Sequence, residues 1–494
     1  AAFYFIGCRF WELGAGAILF ITTYRPDSMK NSKADDRFLS KITAWLGTLC
    51  LGVSFLYSDG SKFPWPWALV PVIGTCLLIH GWSKLKPNDI IRRILASTPC
   101  VWVGKRSYSL YLWHWPVFVL MRWTIGLNTF YLYTAALLTT IILSMFSYSC
   151  IEQPLRRGIW IQRQPQWLRI IGFALLPAIG FYIVNFIFDN NHRFGLSVVS
   201  RSRSDWMPEN YMPYPEAGHR RCQVKIEVGT VAGGSEISFT PTECSIKQSP
   251  KNMFVLGDSH ARAISPMLEQ LSAESGLNIK LNDFTGCSYM SLIIPMEDPQ
   301  NSDCLLYSQE ITKHLIAASK HGDIVLLPSL RLNRYVEQDS HTGILDMHEF
   351  MYAPHIVQLR HESLAEAKRW LRTFSDNKLE VVFYAPTPIF KSPPIRCSDW
   401  FNSMNPICIG GLQLSRSEIE DSRKPILDSM IELTQAYPNV RIFDAFPVLC
   451  PNEVCDTSRN GRPLFVDGDH VSAYGNLVIY PNFRQYFQEL IGKE

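Results

Sequence analysis

The chain has 494 residues, of which 18% are charged and 13% aromatic, and its formal net charge is +3. A charge this small excludes the strongly basic composition that is typical of nucleic-acid-binding proteins. The length predicts more than one domain, and the composition is uneven along the chain. Residues 1–190 are dominated by long apolar stretches, whereas residues 200–494 resemble an ordinary soluble domain. The chain shows no signal peptide and starts in an apolar run, so we expect it to begin inside a membrane domain.

Six apolar stretches in the first part of the chain are long enough to be membrane-spanning helices. They cover approximately residues 3–21, 42–57, 67–82, 109–125, 130–150 and 168–188. The first, third and fifth loops between them are rich in Lys and Arg, whereas the second contains only Lys62 and the fourth contains neither residue. The positive-inside rule assigns the basic loops to the cytoplasm. Six crossings then predict that everything after residue 188 lies outside the cytoplasm.

Four ionisable side chains within or at the ends of these stretches are candidates for a site in the membrane domain. They are Arg9, Glu12, His114 and Glu152. Ionisable groups at membrane depth usually face a cavity or a charged partner, because their desolvation is costly. Structural alternatives remain open: an intrahelical Arg9–Glu12 pair, a packed and hydrogen-bonded His114, and a Glu152 at the membrane edge beside Arg156.

The segments that hold these residues resemble the later helices of the acyltransferase 3 family. The similar sequences are Arg-Phe-Trp-Glu-Leu-Gly at residues 9–14, the Tyr- and Trp-rich run at 107–116, and Ile-Glu-Gln-Pro at 151–154. The family consists of integral membrane enzymes that O-acylate extracytoplasmic glycans. The resemblance covers residues 1–157 and implies that this part is the C-terminal portion of such a domain. Residues 158–200 are then an additional transmembrane helix and a linker.

The second half of the chain alternates apolar, strand-like runs with helical patterns. The candidate strands are residues 252–256, 278–282, 323–327, 379–385 and 440–443. The candidate helices are residues 260–275, 308–320, 361–375, 417–436 and 473–490. This alternation predicts an α/β domain over residues 252–494, with a five-stranded parallel sheet and a site at the carboxyl ends of its strands. Residues 201–251 are rich in Pro and Gly and are predicted to be a linker extension packed on this domain.

Eight cysteines lie in this second half, which the predicted topology places in an oxidising compartment. A metal site would require CxxC or His spacings that these cysteines lack. We therefore predict four disulfides between nearest neighbours in the sequence. The predicted pairs are Cys222–Cys244, Cys287–Cys304, Cys397–Cys408 and Cys450–Cys455.

A serine follows the first predicted strand of the α/β domain, in the sequence Gly257-Asp258-Ser259. A serine at a strand-to-helix turn is exposed and lies near backbone N–H groups at a helix N-terminus, as a nucleophile requires. Near the other end of the domain stands Asp467-Gly-Asp-His470. A short Asp-x-x-His turn can bring an imidazole to a serine and orient it with the aspartate. Gly-Asp-Ser alone is a weak signal, and the late Asp-x-x-His turn strengthens it.

This arrangement resembles the SGNH, or GDSL-like, hydrolase family over residues 252–494. The resemblance implies that Ser259 is the nucleophile, that His470 is the general base and that Asp467 orients His470. The backbone N–H groups of Ser259 and Gly286 are then the implied oxyanion donors.

The sequence departs from the family pattern at one further position. The family's Gly-x-Asn-Asp motif should follow the third strand, where this chain reads Leu-Pro-Ser-Leu-Arg at 327–331, and Asn333 is the nearest substitute as an oxyanion donor. His260 and Asp469 are interpreted as local turn residues rather than as catalytic ones.

Taken together, the two halves resemble bacterial acyltransferase 3–SGNH fusions such as those that O-acetylate lipopolysaccharide O-antigen. The resemblance implies a multi-pass protein of the bacterial inner membrane with its C-terminal domain in the periplasm. Its partners would be acetyl-CoA as donor, a surface glycan as acceptor and the lipid bilayer, with no bound cofactor and no metal. The open alternatives are peptidoglycan O-acetylation, an outer carbohydrate acetylesterase, and a non-catalytic glycan-positioning domain.

Overall fold

The computed structural model describes residues 10–23, 34–57, 67–82, 85–158, 163–208, 222–297, 302–335 and 346–492. The chain divides into two compact units. The helical unit comprises Ala1–Val117 and Leu137–Ile161, and the outer unit comprises Phe118–Ala136 and Gln162–Glu494.

The helical unit is built from apolar helices that pack through small residues. Its helices are α1 Phe10–Thr23, α2 Ala34–Tyr57, α3 Leu69–Trp82, α4 Ile90–Leu95, α5 Thr98–Thr124, α6 Phe130–Ser147, a π-helical turn Tyr148–Glu152 and α7 Gln153–Arg157. The last residues of α5, from Phe118 onward, and the first residues of α6, up to Ala136, belong to the outer unit. Helices α2 and α3 approach closely because a Cβ at Gly47 would lie only 2.6 Å from the carbonyl oxygen of Gly74. Small residues permit such close contact between apolar helices.

Three helical segments in the described part of the chain are long and apolar enough to cross a membrane. They are Phe38–Tyr57, Phe130–Arg157 and Gln166–Asp189, and they correspond to the second, fifth and sixth predicted spans. The shorter apolar helices Phe10–Thr22 and Leu69–Trp82 correspond to the first and third. The fourth predicted span lies within α5, whose sequence includes His114, Arg122 and several Trp and Tyr. Length and composition thus support three of the six predicted spans in full.

The outer unit contains a mixed sheet of seven strands in the order β1-β2-β4-β3-β5-β6-β8. The strands are β1 Gln223–Val231, β2 Gly234–Thr242, β3 Asn252–Gly257, β4 Asn278–Asp283, β5 Ile324–Leu327, β6 Glu380–Tyr384 and β8 Val440–Phe443. Strands β4, β3, β5, β6 and β8 run parallel, and β1 and β2 extend the sheet in the antiparallel sense. The predicted sheet of five parallel strands is therefore too small. Short antiparallel pairs join β7 Gln413–Ser415 to β9 Val454–Asp456 and β10 Ser458–Arg459 to β11 Arg462–Pro463.

The two strands that the prediction missed form a hairpin within the segment interpreted as a linker extension. The sequence Val224-Lys-Ile-Glu-Val228 alternates apolar and charged residues, which is the pattern of a strand with one face exposed. The turn between the strands holds Ala232 at φ 52° and Gly233 at φ 83°, as the tight turns of two-residue hairpins require. The disulfide Cys222–Cys244 joins the two ends of this hairpin.

Further helices belong to the outer unit, and some of them connect the parallel strands of the sheet. They are α8 Gln166–Asp189, α9 Asn191–Phe194, α10 Val198–Arg201, α11 Arg203–Trp206, α12 Ser259–Ala263, α13 Ser265–Ser275, α14 Ser302–Ala318, α15 Met347–Tyr352, α16 Pro354–Asp376, α17 Pro394–Cys397, α18 Arg416–Ala436, α19 Phe446–Leu449 and α20 Ala473–Ile491. The predicted helix over residues 260–275 is two helices, because Pro266 lacks an N–H and starts a new first turn. The other four predicted helices are present, but α14 and α16 begin earlier in the chain than predicted.

The core of the outer unit lies on both faces of the parallel strands. Val255, Leu326 and Val382 of the three central strands are completely buried. Strands that are buried on both faces are apolar without interruption, which explains why these runs were recognisable in the sequence. All four predicted disulfides are present.

Candidate active site

The site is built at the carboxyl end of β3, where the chain bends sharply into α12. Asp258 is the N-cap of α12, and its carboxylate accepts a hydrogen bond from the N–H of His260 (2.9 Å). The N–H of Asp258 donates to Ser329 Oγ (3.0 Å), and the Ser329 hydroxyl donates back to Asp258 Oδ1 (2.8 Å). Any Cβ at Gly257 would overlap Ser329, so only glycine fits this bend. These contacts fix Ser259 at the start of the helix.

A second element, the turn from Asp467 to His470, reaches the same edge of the sheet just before α20. Oδ1 of Asp467 accepts hydrogen bonds from the N–H groups of Asp469 (3.1 Å) and His470 (2.8 Å). The ends of the turn are closed by the bond from the N–H of Val466 to the carbonyl of His470 (2.8 Å). A side chain that bonds the backbone two and three residues ahead stabilises such a turn locally. The position of the imidazole is therefore determined by the Asp-x-x-His sequence itself.

Ser259, His470 and Asp467 are brought together in one chain of hydrogen bonds. Ser259 Oγ lies 2.7 Å from Nε2 of His470, and Nδ1 of His470 lies 2.8 Å from Oδ2 of Asp467. In the neutral imidazole with its proton on Nδ1, Nε2 is free to accept the serine proton. This geometry can activate a hydroxyl for attack on an acyl carbon.

Two residues interpreted as local turn residues, His260 and Asp469, belong to the same cluster, and that interpretation is incomplete. The ring of His260 stacks on that of His470, with centroids 4.2 Å apart and planes at 28°. Nδ1 of His260 lies 3.1 Å from Asp258 Oδ1, and its Nε2 lies 3.5 Å from Asp469 Oδ2. Asp469 Oδ1 is also 3.1 Å from Nδ1 of His470. His470 therefore faces two carboxylates and packs against a second imidazole.

Two arginines from the loop after β5, Arg331 and Arg334, were missed by the sequence analysis. Arg331 donates to Asp258 Oδ2 from Nε (3.2 Å) and Nη2 (3.1 Å). Arg334 donates to both oxygens of Asp469 (2.9 and 2.6 Å) and to Asp467 Oδ2 (3.1 Å). Their position directly after a predicted central strand could have identified them, because polar residues that follow a parallel strand lie at the active edge of the sheet.

These contacts shift the pKa of His470. Burial lowers the pKa of this imidazole, but the hydrogen bonds and charges of Asp467 and Asp469 outweigh burial and raise its pKa to about 9. At neutral pH the protonated imidazole is therefore favoured, and the small neutral fraction is the form that can accept the serine proton. That fraction grows as the pH rises toward the pKa of His470.

Two carboxylates of the cluster, Asp258 and Asp469, have a lowered pKa. Burial raises the pKa of Asp258, yet its contacts with His260 and Arg331 leave that pKa well below its usual range. Burial also raises the pKa of Asp469, but contacts with both imidazoles and with Arg334 outweigh burial and lower the pKa of this carboxyl strongly. Asp469 is 1% exposed, so its charge is stabilised almost entirely by these partners.

The two predicted oxyanion residues beyond Ser259 lie in the loops that follow the strands adjacent to β3. Gly286 is exposed, has φ 81° and forms a tight turn closed by the bond from the N–H of Cys287 to the carbonyl of Phe284 (3.0 Å). Asn333 is half-buried in the loop after β5. Both loops therefore lie at the same edge of the sheet as Ser259. The role of Gly286 and Asn333 in binding an oxyanion stays a prediction.

His260, Asp469 and His470 offer nitrogen and oxygen atoms within 4.8 Å of one another, so their donor set was considered as a metal site. Both oxygens of Asp469 already accept hydrogen bonds from Arg334, and Nε2 of His470 faces Ser259. A metal ion at this position would lie beside the guanidinium of Arg334 and would compete with it for the carboxylate. The donor set fits a guanidinium better than a metal ion.

The membrane-domain candidates Glu12, His114 and Glu152 belong to the helical unit. Glu12 lines a cavity of about 260 Å³ with residues of α3, and Arg9 lies outside the described residues. His114 is exposed, and its Nδ1 lies 2.6 Å from the carbonyl oxygen of Tyr111 in the same helix. Glu152 accepts hydrogen bonds from Ser109 (2.9 Å) and Arg156 (2.9 Å). His114 is thus hydrogen-bonded but not packed, Glu152 contacts Ser109 as well as Arg156, and a functional role for either residue stays a prediction.

Comparisons with known proteins give the chain relatives among acetyltransferases. YrhL of Bacillus subtilis, named as a provisional peptidoglycan O-acetyltransferase, is 28% identical over 162 residues, which is 31% of this chain and 24% of YrhL. The O-acetyltransferase OatA of Staphylococcus aureus is 37% identical over 73 residues, 14% of this chain and 12% of OatA. The chain thus spans a quarter or less of either relative.

Among solved structures, the outer unit is similar to the periplasmic domain of a Salmonella ser. Paratyphi A lipopolysaccharide acetyltransferase. The two are 17% identical with a TM-score of 0.32, over 49% of this chain and 85% of that domain. The family model described as "SGNH domain (fused to AT3 domains)" matches residues 222–485, which is more than half of the chain. The chain therefore belongs to the family of SGNH domains that are fused to AT3 domains.

Proposed function

We propose that the chain is part of a membrane-bound O-acetyltransferase that acetylates hydroxyl groups of a cell-surface glycan. The observation that carries the proposal is the hydrogen-bonded series Ser259–His470–Asp467 at the active edge of an SGNH domain. Two O-acetyltransferases among the relatives support the same reaction class. Ser259, His470 and Asp467 are the proposed catalytic residues.

The proposed chemistry has two acyl-transfer steps. In the first, Ser259 Oγ forms a bond to the acetyl carbon of the donor, His470 takes the hydroxyl proton, and the donor's leaving group departs with that proton. In the second step a sugar hydroxyl attacks the acetyl carbon, His470 takes its proton, and the bond to Ser259 breaks. The proton then returns to Ser259 Oγ. The N–H groups of Ser259 and Gly286, with Asn333 as a third donor, would stabilise the oxyanion in both steps.

The proposed donor and compartment rest on the membrane-spanning part. We propose that acetyl groups come from cytoplasmic acetyl-CoA and reach Ser259 through the membrane domain to which the helical unit belongs. The apolar spans and the alternation of basic loops support a location in the bacterial inner membrane, with the outer unit in the periplasm. The four disulfides agree with an oxidising compartment.

The acceptor is proposed to be lipopolysaccharide O-antigen, and peptidoglycan is the second candidate. The first rests on the resemblance to fusions that modify O-antigen. The second is favoured by one observation, the peptidoglycan activity in the name of YrhL. Both acceptors present a sugar hydroxyl and need the same serine chemistry, so the distinction depends on the glycan that the outer unit binds.

Mass spectrometry of surface glycans tests this proposal in cells that carry the complete gene, its Ser259→Ala variant, or no gene. Lipopolysaccharide and peptidoglycan are analysed separately, and Ser417→Ala, at an exposed serine of α18, is the matched control. Acetyl groups should be present with the natural and control genes and absent with Ser259→Ala. Full acetylation with Ser259→Ala would show that the membrane part transfers directly and that the outer unit positions the glycan. Acetyl groups that accumulate without the gene would instead show an esterase.

A further inference from the structure

A short loop of the outer unit exposes three large apolar side chains that the catalytic proposal does not use. The loop runs from residue 393 to residue 409 and is called here the Cys397–Cys408 loop. Trp400, Met404 and Ile409 are 73%, 74% and 69% exposed. Scattered single apolar residues are normal on a protein surface, but three within ten residues of one loop mark a candidate contact surface.

The loop is rigid, so the exposure of these side chains is built into the fold. The disulfide Cys397–Cys408 closes it. Within it, Nδ2 of Asn402 donates to the carbonyl of Arg396 (2.7 Å), and Asn402 is completely buried. The N–H of Cys408 donates to the carbonyl of Asn405 (2.8 Å). The buried polar residues hold the loop from inside and leave the apolar residues on its outer surface.

The inner face of the loop contacts the chain at the end of α5. The buried guanidinium of Arg396 lies 4.5 Å from the ring centroid of Trp123 and donates to the carbonyl of Arg122 (2.6 Å). Nδ2 of Asn405 lies within hydrogen-bond distance of the carbonyls of Arg122 (2.9 Å) and Trp123 (3.0 Å). A helix end leaves its last carbonyls without partners within the helix, and these two side chains bond to them. All of these residues belong to the outer unit.

A second contact joins the loop to the segment that follows α8. Oδ1 of Asp399 accepts a hydrogen bond from the N–H of Val198 (2.7 Å), the first residue of α10. Helix α8 is one of the three candidate membrane spans, and the turn after Trp123 leads into another, Phe130–Arg157. The loop is therefore bonded at the end of α5, shortly before one candidate span, and at a short helix that follows another.

The base of the loop is also bonded to the turn that carries His470. The N–H of Ile395 donates to the carbonyl of Val466 (2.8 Å), and the N–H of Phe390 donates to the carbonyl of Gly468 (2.7 Å). The loop follows β6 and so lies at the carboxyl edge of the sheet, the edge that holds Ser259. A partner of the loop would therefore be close to the proposed acyl-transfer site.

We infer that the Cys397–Cys408 loop inserts Trp400, Met404 and Ile409 into the interfacial region of the lipid bilayer. Tryptophan is enriched at this depth because its ring is apolar and its N–H is polar, and buried aliphatic side chains add affinity for the interface. A lipid surface fits better than a glycan, since the exposed side chains are apolar and the loop is hydrogen-bonded beside Trp123 and Val198, near the ends of apolar helices. The contact would orient the active edge of the sheet toward the membrane. This inference rests on the proposed membrane insertion of the chain.

The test places the photoreactive amino acid benzoylphenylalanine in the complete protein in its native membrane. The test variant is Met404→benzoylphenylalanine. The matched control is Ile431→benzoylphenylalanine, at an exposed apolar residue near the end of α18, which leads into the opposite edge of the sheet. The variant Leu176→benzoylphenylalanine, at an exposed residue in the middle of α8, reports membrane insertion itself. Adducts are identified by mass spectrometry after irradiation.

We expect lipid adducts at positions 404 and 176. We expect none at position 431. Lipid adducts at 176 but not at 404 would overturn this inference and leave the proposed membrane insertion intact. A protein adduct at 404 in place of a lipid adduct would overturn it as well and would identify a protein partner for the loop. Absence of lipid adducts at 176 would overturn the membrane insertion and, with it, this inference.

Discussion

Two histidines illustrate the difference between the outer unit and the helical unit. His470 is hydrogen-bonded to Ser259 and Asp467 and stacks on His260. Ser259 and His260 follow β3, and Asp467 lies in the same turn as His470, so two segments meet at one edge of the sheet. His114 is exposed on α5 and bonds a carbonyl of its own helix. Both are histidines in short motifs, yet in the part of the chain that the structure describes His470 alone of the two has partners that change what an imidazole can do. Chemistry in this molecule therefore depends on tertiary contacts rather than on the motif alone.

The largest effect is expected from the residues in direct contact with the acyl group. Ser259→Ala should lower kcat for hydrolysis of a soluble acetyl ester by about 10⁶-fold, and His470→Ala should do nearly the same damage. The double variant should be no worse than either single variant, because both residues serve one proton transfer. Steady-state kinetics of the three variants check this. Losses that multiply in the double variant would show that the two residues act separately.

Asp467→Asn should be slower than the natural protein by less than the roughly 10⁴-fold that loss of an orienting aspartate can cost. The asparagine favours the wrong imidazole tautomer, but Asp469 Oδ1, 3.1 Å from the same nitrogen, can still accept its proton. The Asp467→Asn, Asp469→Asn double variant should therefore lose much more than either single variant. Equal losses in the Asp467→Asn variant and the double variant would exclude a role for Asp469.

The pH dependence follows from the pKa of His470, which lies at about 9. The raised pKa favours the protonated imidazole below that pH, so the base form is lost as the pH falls. We expect kcat/KM for ester hydrolysis to rise about tenfold per pH unit above pH 7 and to level off above pH 9, about a hundredfold in all. Ser259→Ala supplies the background rate of spontaneous ester hydrolysis at each pH. A profile that is flat above pH 7 would show that His470 has an ordinary pKa in the working protein.

Arg334 should act as a positioning residue, because its described contacts are with Asp467, Asp469 and His470. Arg334→Ala should reduce kcat/KM by about tenfold to a hundredfold, since charge-assisted hydrogen bonds contribute about 1.5–3 kcal/mol each. It should also move the pH profile upward, because removing a nearby positive charge raises the pKa of His470 further. Arg334→Lys should restore part of that pH shift. Reduced activity with an unchanged profile would indicate a structural role only.

The smallest effect is expected in the helical unit. His114→Gln should leave hydrolysis of a soluble acetyl ester unchanged, because its ring bonds only its own helix among the contacts described. Steady-state kinetics of the complete protein in detergent check this against His470→Ala. A loss of ester hydrolysis in His114→Gln would show that the two units share their chemistry.

The sequence predicted those parts of the fold that local patterns determine. The central strands are continuous apolar runs, the Asp-x-x-His turn is stabilised by its own side chain, and the disulfides join neighbouring cysteines. The hairpin β1–β2 was missed although its alternation was present, because Pro and Gly around it suggested a linker. The contacts of Arg334 could not be predicted, since they join segments more than a hundred residues apart. Such contacts depend on how loops meet at the sheet edge, which no local pattern determines.

Detection of an acetyl group on Ser259 tests the central claim most directly. The complete protein is mixed with a soluble acetyl ester, quenched rapidly in acid, digested and analysed by mass spectrometry of the peptide that contains Gly257-Asp258-Ser259. We predict an acetylated Ser259 that forms within the first turnover and disappears when the ester is exhausted. Turnover that proceeds with Ser259 unmodified, or with the acetyl group on another residue, would contradict the account.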